Sequence, residues 1–156
     1  YLTSVLYYDM DDHAKALETL DDCDKRVRVH EDAGDVGEEL LKIRLFVDHQ
    51  RMLLAAKASE PQTVPMADRL LRLRLNTEDQ LVEEYEVSAW LNCLTVLAVT
   101  GKRAIVVEKL AKKLNHIRTK FGPKNALTLR SQRMYEICKT MGNNLSDKLT
   151  LRPIHF

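Results

Sequence analysis

An all-α fold, arranged as a stack of antiparallel helix hairpins with about seven helices, is what this 156-residue sequence predicts. Three observations carry the expectation. The chain holds only 5 Gly and 4 Pro, so turn punctuation is sparse. Aromatic residues make up only 6%, which removes much of the side-chain preference for strands. Apolar residues recur at three-to-four spacing in nearly every segment, the period of a helix with one buried face. The 45% apolar and 30% charged composition is that of a globular domain and excludes a disordered tail or a collagen-like fibre.

The elements follow in order. Leu17, Leu20, Cys23 or Asp24, and Val27 stripe a helix from Asp12 to Glu31, and Ala33-Gly34-Asp35 stops it. A second long helix, Glu38 to Ala58, is striped by Leu41, Leu45, His49, Met52, Leu53 and Ala56. Ser59 to Pro65 is a connector with two prolines, and Pro65 suits the first turn of a helix because its missing N–H is not needed there. The run Leu71-Arg72-Leu73-Arg74-Leu75 alternates as a strand would, but Ala67, Leu70, Leu71 and Arg74 also suit a helix. Helix is preferred because no neighbouring segment offers a strand to pair with.

Thr77-Glu78-Asp79-Gln80 reads as a capping box that opens the strongest helix, Gln80 to Thr100. Its second half is apolar almost all round and is expected to be buried between neighbours. Gly101 stops it. Val106, Leu110, Leu114, Ile117 and Phe121 stripe the next helix, Gly122-Pro123 breaks the chain, and a last helix runs from Ala126 to Met141 before Gly142-Asn143-Asn144.

The net charge of +1 conceals a division. Residues 1 to 100 carry 11 Lys and Arg against 20 Asp and Glu, whereas residues 101 to 156 carry 13 against 3. Local fields therefore say more about partners than the total does.

Two stretches look like repeat units. Tyr7-Tyr8-Asp9-Met10-Asp11-Asp12-His13-Ala14-Lys15-Ala16-Leu17-Glu18 resembles the end of helix A, the turn and the start of helix B in the tetratricopeptide repeat family. Asp11 stands at the usual turn glycine and Ala16 at the small helix-B residue. Ala89-Trp90-Leu91-Asn92 through Gly101 resembles a complete helix A, with Trp90 as the bulky anchor, Gly101 at the turn and Val106 in place of the small alanine. Phe121-Gly122-Pro123-Lys124-Asn125-Ala126-Leu127-Thr128-Leu129 is similar to the start of a repeat of the long-helix, kinesin-light-chain type. The spacing agrees: Gly101 to Asn143 is 42 residues, and Asp11 to Gly101 is 90, two units of about 45. Asparagine tolerates the left-handed conformation that glycine otherwise supplies. Repeat phase within residues 38–76 is not fixed by the pattern. The resemblance spans nearly the whole chain, and another α-solenoid or a helical region of a larger enzyme has similar spacing. It implies one helical domain over 1–156, a segment cut from a longer protein, whose A helices line a concave surface suited to a peptide or partner helix.

Asn92 stands where the resembled family often presents asparagine to a bound peptide backbone, and Thr95 is one turn on. Forty-two residues later, Ser88 and Leu91 map to Arg130 and Arg133, which would suit an acidic partner. The competing readings are an inter-helix or surface hydrogen bond for Asn92 and a solvated basic face for the arginines. A basic patch of Lys109, Lys112, Lys113, Lys120 and Lys124 supports the alternative of a nucleic-acid-binding domain using residues 102–152, although few aromatics interleave it for base stacking.

The five histidines show no metal-ligand spacing, and His49 reads as a core histidine. Ser88 and Ser131, in no nucleophile motif, read as helix surface. The acid pairs Asp11-Asp12, Asp21-Asp22 and Glu83-Glu84 read as solvated faces. No catalytic, cofactor or metal residues are assigned. Cys93 and Cys138 read as packing residues, and three widely spaced cysteines fit neither a disulfide framework nor a zinc pattern. They suggest a reducing compartment, and with no apolar run near the ~20 residues of a span, a cytoplasmic or nuclear setting is expected. The expected function is a non-enzymatic scaffold or adaptor for a protein or peptide. The alternatives are nucleic-acid binding and the helical regulatory part of a larger enzyme.

Overall fold

The computed structural model describes residues 2–34, 37–72, 80–140, 145 and 148–152. Those residues form seven helices and no strand: α1 (Leu2–Asp9), α2 (His13–Asp32), α3 (Glu38–Lys57), α4 (Thr63–Leu70), α5 (Gln80–Val99), α6 (Arg103–Phe121) and α7 (Ala126–Thr140). Packing divides the chain into an N-terminal unit ending at Glu86 and a C-terminal unit, Val87–Arg152, so the boundary falls inside α5.

In the N-terminal unit α1 packs on α2, α2 on α3 and α3 on α4, and α1 also touches α3. Asp12 caps α2, its carboxylate accepting the Lys15 N–H at 3.1 Å and so satisfying one of the donors a helix start leaves open. The α2 stripe is centred on Ala16, Leu20 and Val27 rather than on Leu17, which is half-buried. Ala16 lets the backbones approach, and the Ser4 hydroxyl donates to the Ala16 carbonyl at 2.9 Å. Ala16, Leu20, Val47 and Leu54 form the core cluster, against which Tyr7, Tyr8, Leu17 and Cys23 lie. Burying a side chain like Leu20 contributes about 2–3 kcal/mol.

On α3 the expected stripe holds at Leu45, His49, Met52 and Leu53, but Leu41 is 54% exposed. His49 is a core histidine: its Nδ1 lies 2.9 Å from the Tyr85 hydroxyl, with the two rings edge to face. Helix α4 begins two residues before Pro65, placing the proline in the first turn, and Leu71 and Arg72 leave the helix as a turn. The remainder of the alternating run, the Thr77 cap and Gly142-Asn143-Asn144 lie outside the described residues.

The C-terminal unit is centred on α5, in which every residue from 89 to 98 is buried, as its all-round apolar pattern implies. Helix α6 packs on α7 and buries Val106, Leu110 and Ile117. Asn125 opens α7 by accepting the Leu127 N–H at 2.8 Å, and the buried Thr128 hydroxyl donates to the Gly122 carbonyl at 2.8 Å. That contact explains why a threonine follows the Gly-Pro break. Ser131 is not on the helix surface: it is fully buried and donates to the Leu127 carbonyl at 2.7 Å, which satisfies its hydroxyl inside the packed helix.

Three of the helix ends share one turn. The residue after the cap has a left-handed backbone at Asp11 (φ 62°), Ser59 (φ 56°) and Gly101 (φ 90°). At each, that residue's N–H bonds three residues back and the next N–H bonds five back: Asp11 to Tyr8 and Asp12 to Tyr7; Ser59 to Ala56 and Glu60 to Ala55; Gly101 to Ala98 and Lys102 to Leu97. This is the Schellman closure, which satisfies the last carbonyls of α1, α3 and α5. Ser59 is 48 residues after Asp11 and 42 before Gly101, so the same turn recurs at similar spacing. Counted from its turn, α2 buries the fifth, ninth and sixteenth residues (Ala16, Leu20, Val27), and α6 buries the same three (Val106, Leu110, Ile117). Helix α4 departs from that register, burying Thr63, Ala67 and Leu70.

Candidate functional site

Asn92 is fully buried in α5. Its side-chain amide meets both main-chain groups of Arg152: Nδ2 donates to the Arg152 carbonyl at 2.7 Å, and Oδ1 accepts the Arg152 N–H at 3.2 Å. The pair of bonds clamps the backbone of one residue, because a primary amide presents a donor and an acceptor side by side. The segment is anchored in turn by Leu145 and Leu149, both buried, and the N–H groups of Lys148 and Leu149 close a turn on the Leu145 carbonyl.

Arg130, projecting from α7, completes the arrangement. Its guanidinium donates to Asn92 Oδ1 at 2.5 Å and approaches the Ser88 hydroxyl at 3.5 Å. No carboxylate pairs with it among the described residues. Burial, and then the neighbouring Arg152 cation, push Arg130 down from its ordinary value to about 10. Beside it a groove of about 360 Å³ is lined by Thr95, Arg130, Arg133, Lys148 and Arg152, with Met134 and Leu149 among its apolar surfaces.

The structure therefore brings Asn92, Thr95, Arg130 and Arg133 to one face of the C-terminal unit. Their exposures differ. Thr95 is buried and donates to the Leu91 carbonyl at 2.9 Å, which leaves its oxygen as an acceptor toward the groove. Arg133 is exposed. Ser88 is half-buried at Arg130, not on the helix surface, because the two positions 42 residues apart meet across α5 and α7.

Two of the five lysines of the basic patch have partners within the unit. Lys109, Lys112, Lys113 and Lys120 lie on α6 and Lys124 lies just beyond it. Lys112 pairs with Glu108 at 2.6 Å, and Lys113 sits 4.9 Å over the Trp90 ring.

Sequence reasoning missed Lys148, Leu149 and Arg152, since an irregular segment has no helical period to mark it. It also missed that the acidic helix α2 is answered from α3. Arg44 bridges Asp24 and Glu31, and Arg51 reaches Asp21 at 2.8 Å. Asp21, read as part of a solvated face, is thus tied to a neighbouring helix, while Asp22 keeps only an i,i+4 pair with Arg26. Burial pushes the Asp24 carboxyl up, but the Arg44 hydrogen bond and the surrounding arginines hold it net below its ordinary value.

Cys93 and Cys138 are buried, and none of the three cysteines is in a disulfide. Among the described residues no three His, Cys, Asp or Glu side chains gather as metal ligands. No described helix is long and apolar enough to cross a membrane. Comparison with known proteins yields no match: no family model, no curated protein and no solved structure corresponds to this chain.

Proposed function

We propose that this chain is a non-enzymatic, tetratricopeptide-like helical-repeat scaffold, acting in the cytoplasm or nucleus, that binds an extended peptide on the α5–α7 face of its C-terminal unit. One observation carries the reading: the Asn92 amide grips the backbone N–H and C=O of Arg152, so the face already holds a stretch of chain in the way it would hold a peptide. Main-chain bonds supply affinity without regard to sequence, and side-chain surroundings supply preference. The three identical Schellman turns at 48- and 42-residue spacing support the repeat reading. Segment 148–152 is then a cis competitor. A partner displaces it, which removes Lys148 and Arg152 and leaves Arg130 and Arg133 facing the newcomer. An acidic peptide best answers those two cations.

The nucleic-acid alternative has less support. Two of the five lysines it needs are engaged by Glu108 and Trp90, and neutralising phosphates requires free cations.

The test is selection from a displayed peptide library on the whole chain at low and high salt. Expected are peptides that shift the Arg152 and Thr95 amide resonances and lose about tenfold in affinity on Arg133→Glu, which removes a charge-assisted contact of about 1.4 kcal/mol that the displaced segment does not use. Recovery of no peptide, or of peptides indifferent to Arg133→Glu, would remove the proposal. Retention of nucleic acid with a steep inverse salt dependence would put the alternative in its place.

A further inference from the structure

Four cations line the groove beside Asn92, two from a helix and two from an irregular segment. Arg130 and Arg133 project from α7, and Lys148 and Arg152 come from the segment that Asn92 holds. No salt bridge joins any of the four to a carboxylate among the described residues, although the chain forms such pairs freely elsewhere. The cost of that arrangement falls on Arg130. Its guanidinium is largely buried, it has a second cation beside it, and only two of its donor groups are engaged, by the neutral oxygens of Asn92 and Ser88. A guanidinium carries five N–H donors, so several remain for a ligand. A partly buried, uncompensated charge is expensive to keep, and a multiply charged anion would offset it.

We infer that this groove is a binding site for a small, multiply charged oxyanion, held between Arg130 and Arg133 on α7 and Lys148 and Arg152 on the segment. The volume of about 360 Å³ lies at the small end of ordinary ligand pockets and exceeds the needs of a single phosphate. Thr95, Met134 and Leu149 line the same groove. A bound anion that touches α7 and the segment together fastens the segment over Asn92. The inference thereby deepens the peptide reading and rests on it for its consequence: the anion and a trans peptide oppose one another, each weakening the other by the same factor. The anion is a ligand for the closed arrangement, and the peptide for the open one.

The experiment titrates the whole chain with tripolyphosphate and, in parallel, with citrate, following binding by calorimetry and amide resonances. Both supply several oxyanions on a small frame, one as phosphates and one as carboxylates. Saturable binding that shifts the Thr95, Met134 and Lys148 resonances is expected, with the tighter probe identifying the source chemistry. Removing one charge-assisted contact by Arg133→Gln should weaken binding about tenfold, and Arg130→Gln by at least as much. Arg133 is exposed, so its variant folds and keeps the test decisive if Arg130→Gln does not. Lys112→Gln on α6 should leave binding within about twofold, since that cation lies outside the groove. Hydrogen exchange at the Arg152 amide should slow in proportion to site occupancy.

Failure of both probes to bind, or an equal loss from Lys112→Gln and Arg133→Gln, overturns the inference, the second by showing diffuse surface charge. If oxyanions bind and no library peptide does, the peptide reading fails and the oxyanion site stands. If library peptides bind and neither oxyanion does, the reverse holds.

Discussion

Arg44 and Arg130 are both half-buried guanidiniums, one in each compact unit, and their surroundings are opposite. Arg44 lies between Asp24 and Glu31, and the Glu31 hydrogen bond, against the opposing effect of burial and with help from Asp24, raises its affinity for its proton. Arg130 has the neutral oxygens of Asn92 and Ser88 for partners and Arg152 for a neighbour, and it is depressed to about 10. The N-terminal unit resolves its charge internally, helix to helix. Among the described residues, the C-terminal unit leaves Arg130 unmatched where Asn92 also holds a backbone segment. A charge matched within the fold serves the fold, whereas a charge left unmatched at a groove costs stability and is explained by a ligand.

The comparison can be broken first at the cores. Leu20→Ala and Leu110→Ala remove the equivalent buried residue from each unit and should each cost about 2–5 kcal/mol. Denaturant unfolding followed by a probe in each unit reads the effect. Two transitions, each shifted by only one of the variants, would show that the units carry separate stabilities.

Arginine removal comes next. Arg44→Met should destabilise by about 1–3 kcal/mol, because Asp24, only 13% exposed, loses its nearest cation. Arg130→Met should change stability by less than about 1 kcal/mol, since burial there opposes the charge that is removed. Equal losses from the two would undo the contrast between matched and unmatched charge.

Asn92→Ala should release segment 148–152 at a cost of about 1–3 kcal/mol, because Arg130 and both Arg152 backbone groups lose a buried partner. The measurement is amide exchange at Arg152 and Leu149. Unchanged protection would mean that Leu145 and Leu149 hold the segment without the clamp.

The turns predict effects of opposite sign. Gly101→Ala places a Cβ on a left-handed backbone and should cost about 1 kcal/mol, while Ser59→Gly should stabilise by a comparable or smaller amount. Thermal midpoints moving in the same direction would contradict the shared-turn assignment.

Acid titration gives the smallest effect. Asp24 sits below its ordinary value of 3.8, so the stability it confers is complete above that value and is lost as pH falls through its folded-state value. Asp48 works the other way: burial pushes its carboxyl up against the pull of Arg69, so its protonated form favours the fold and stability is lost as pH rises through its raised value. Between pH 6 and about pH 2 the two act in opposite senses, so Asp24→Asn should make the loss of stability of the N-terminal unit on acidification shallower and Asp48→Asn should make it steeper.

Much of this was legible in the residues. Helix α2 was read to within a residue at each end because Asp12 is a good cap and Gly34 a good stop, and both act through neighbours in sequence. The turn at Asp11 was visible through its likeness to a glycine position. That at Ser59 was not, because a serine in a left-handed turn has no sequence mark, and its place follows from the hydrogen bonds that close α3. Asn92 stood out as the polar break in an apolar helix. What it holds could not be read, since Arg152 lies 60 residues away and nothing periodic connects them.

By itself, then, the sequence determined an all-helical chain and most of the helix ends, because period, caps and stops are local properties of the chain. Tertiary structure alone decided which charges are answered and which are not. Pairing depends on what long-range packing brings within a few ångströms, and so Arg44 became part of the scaffold while Arg130 was left facing a groove.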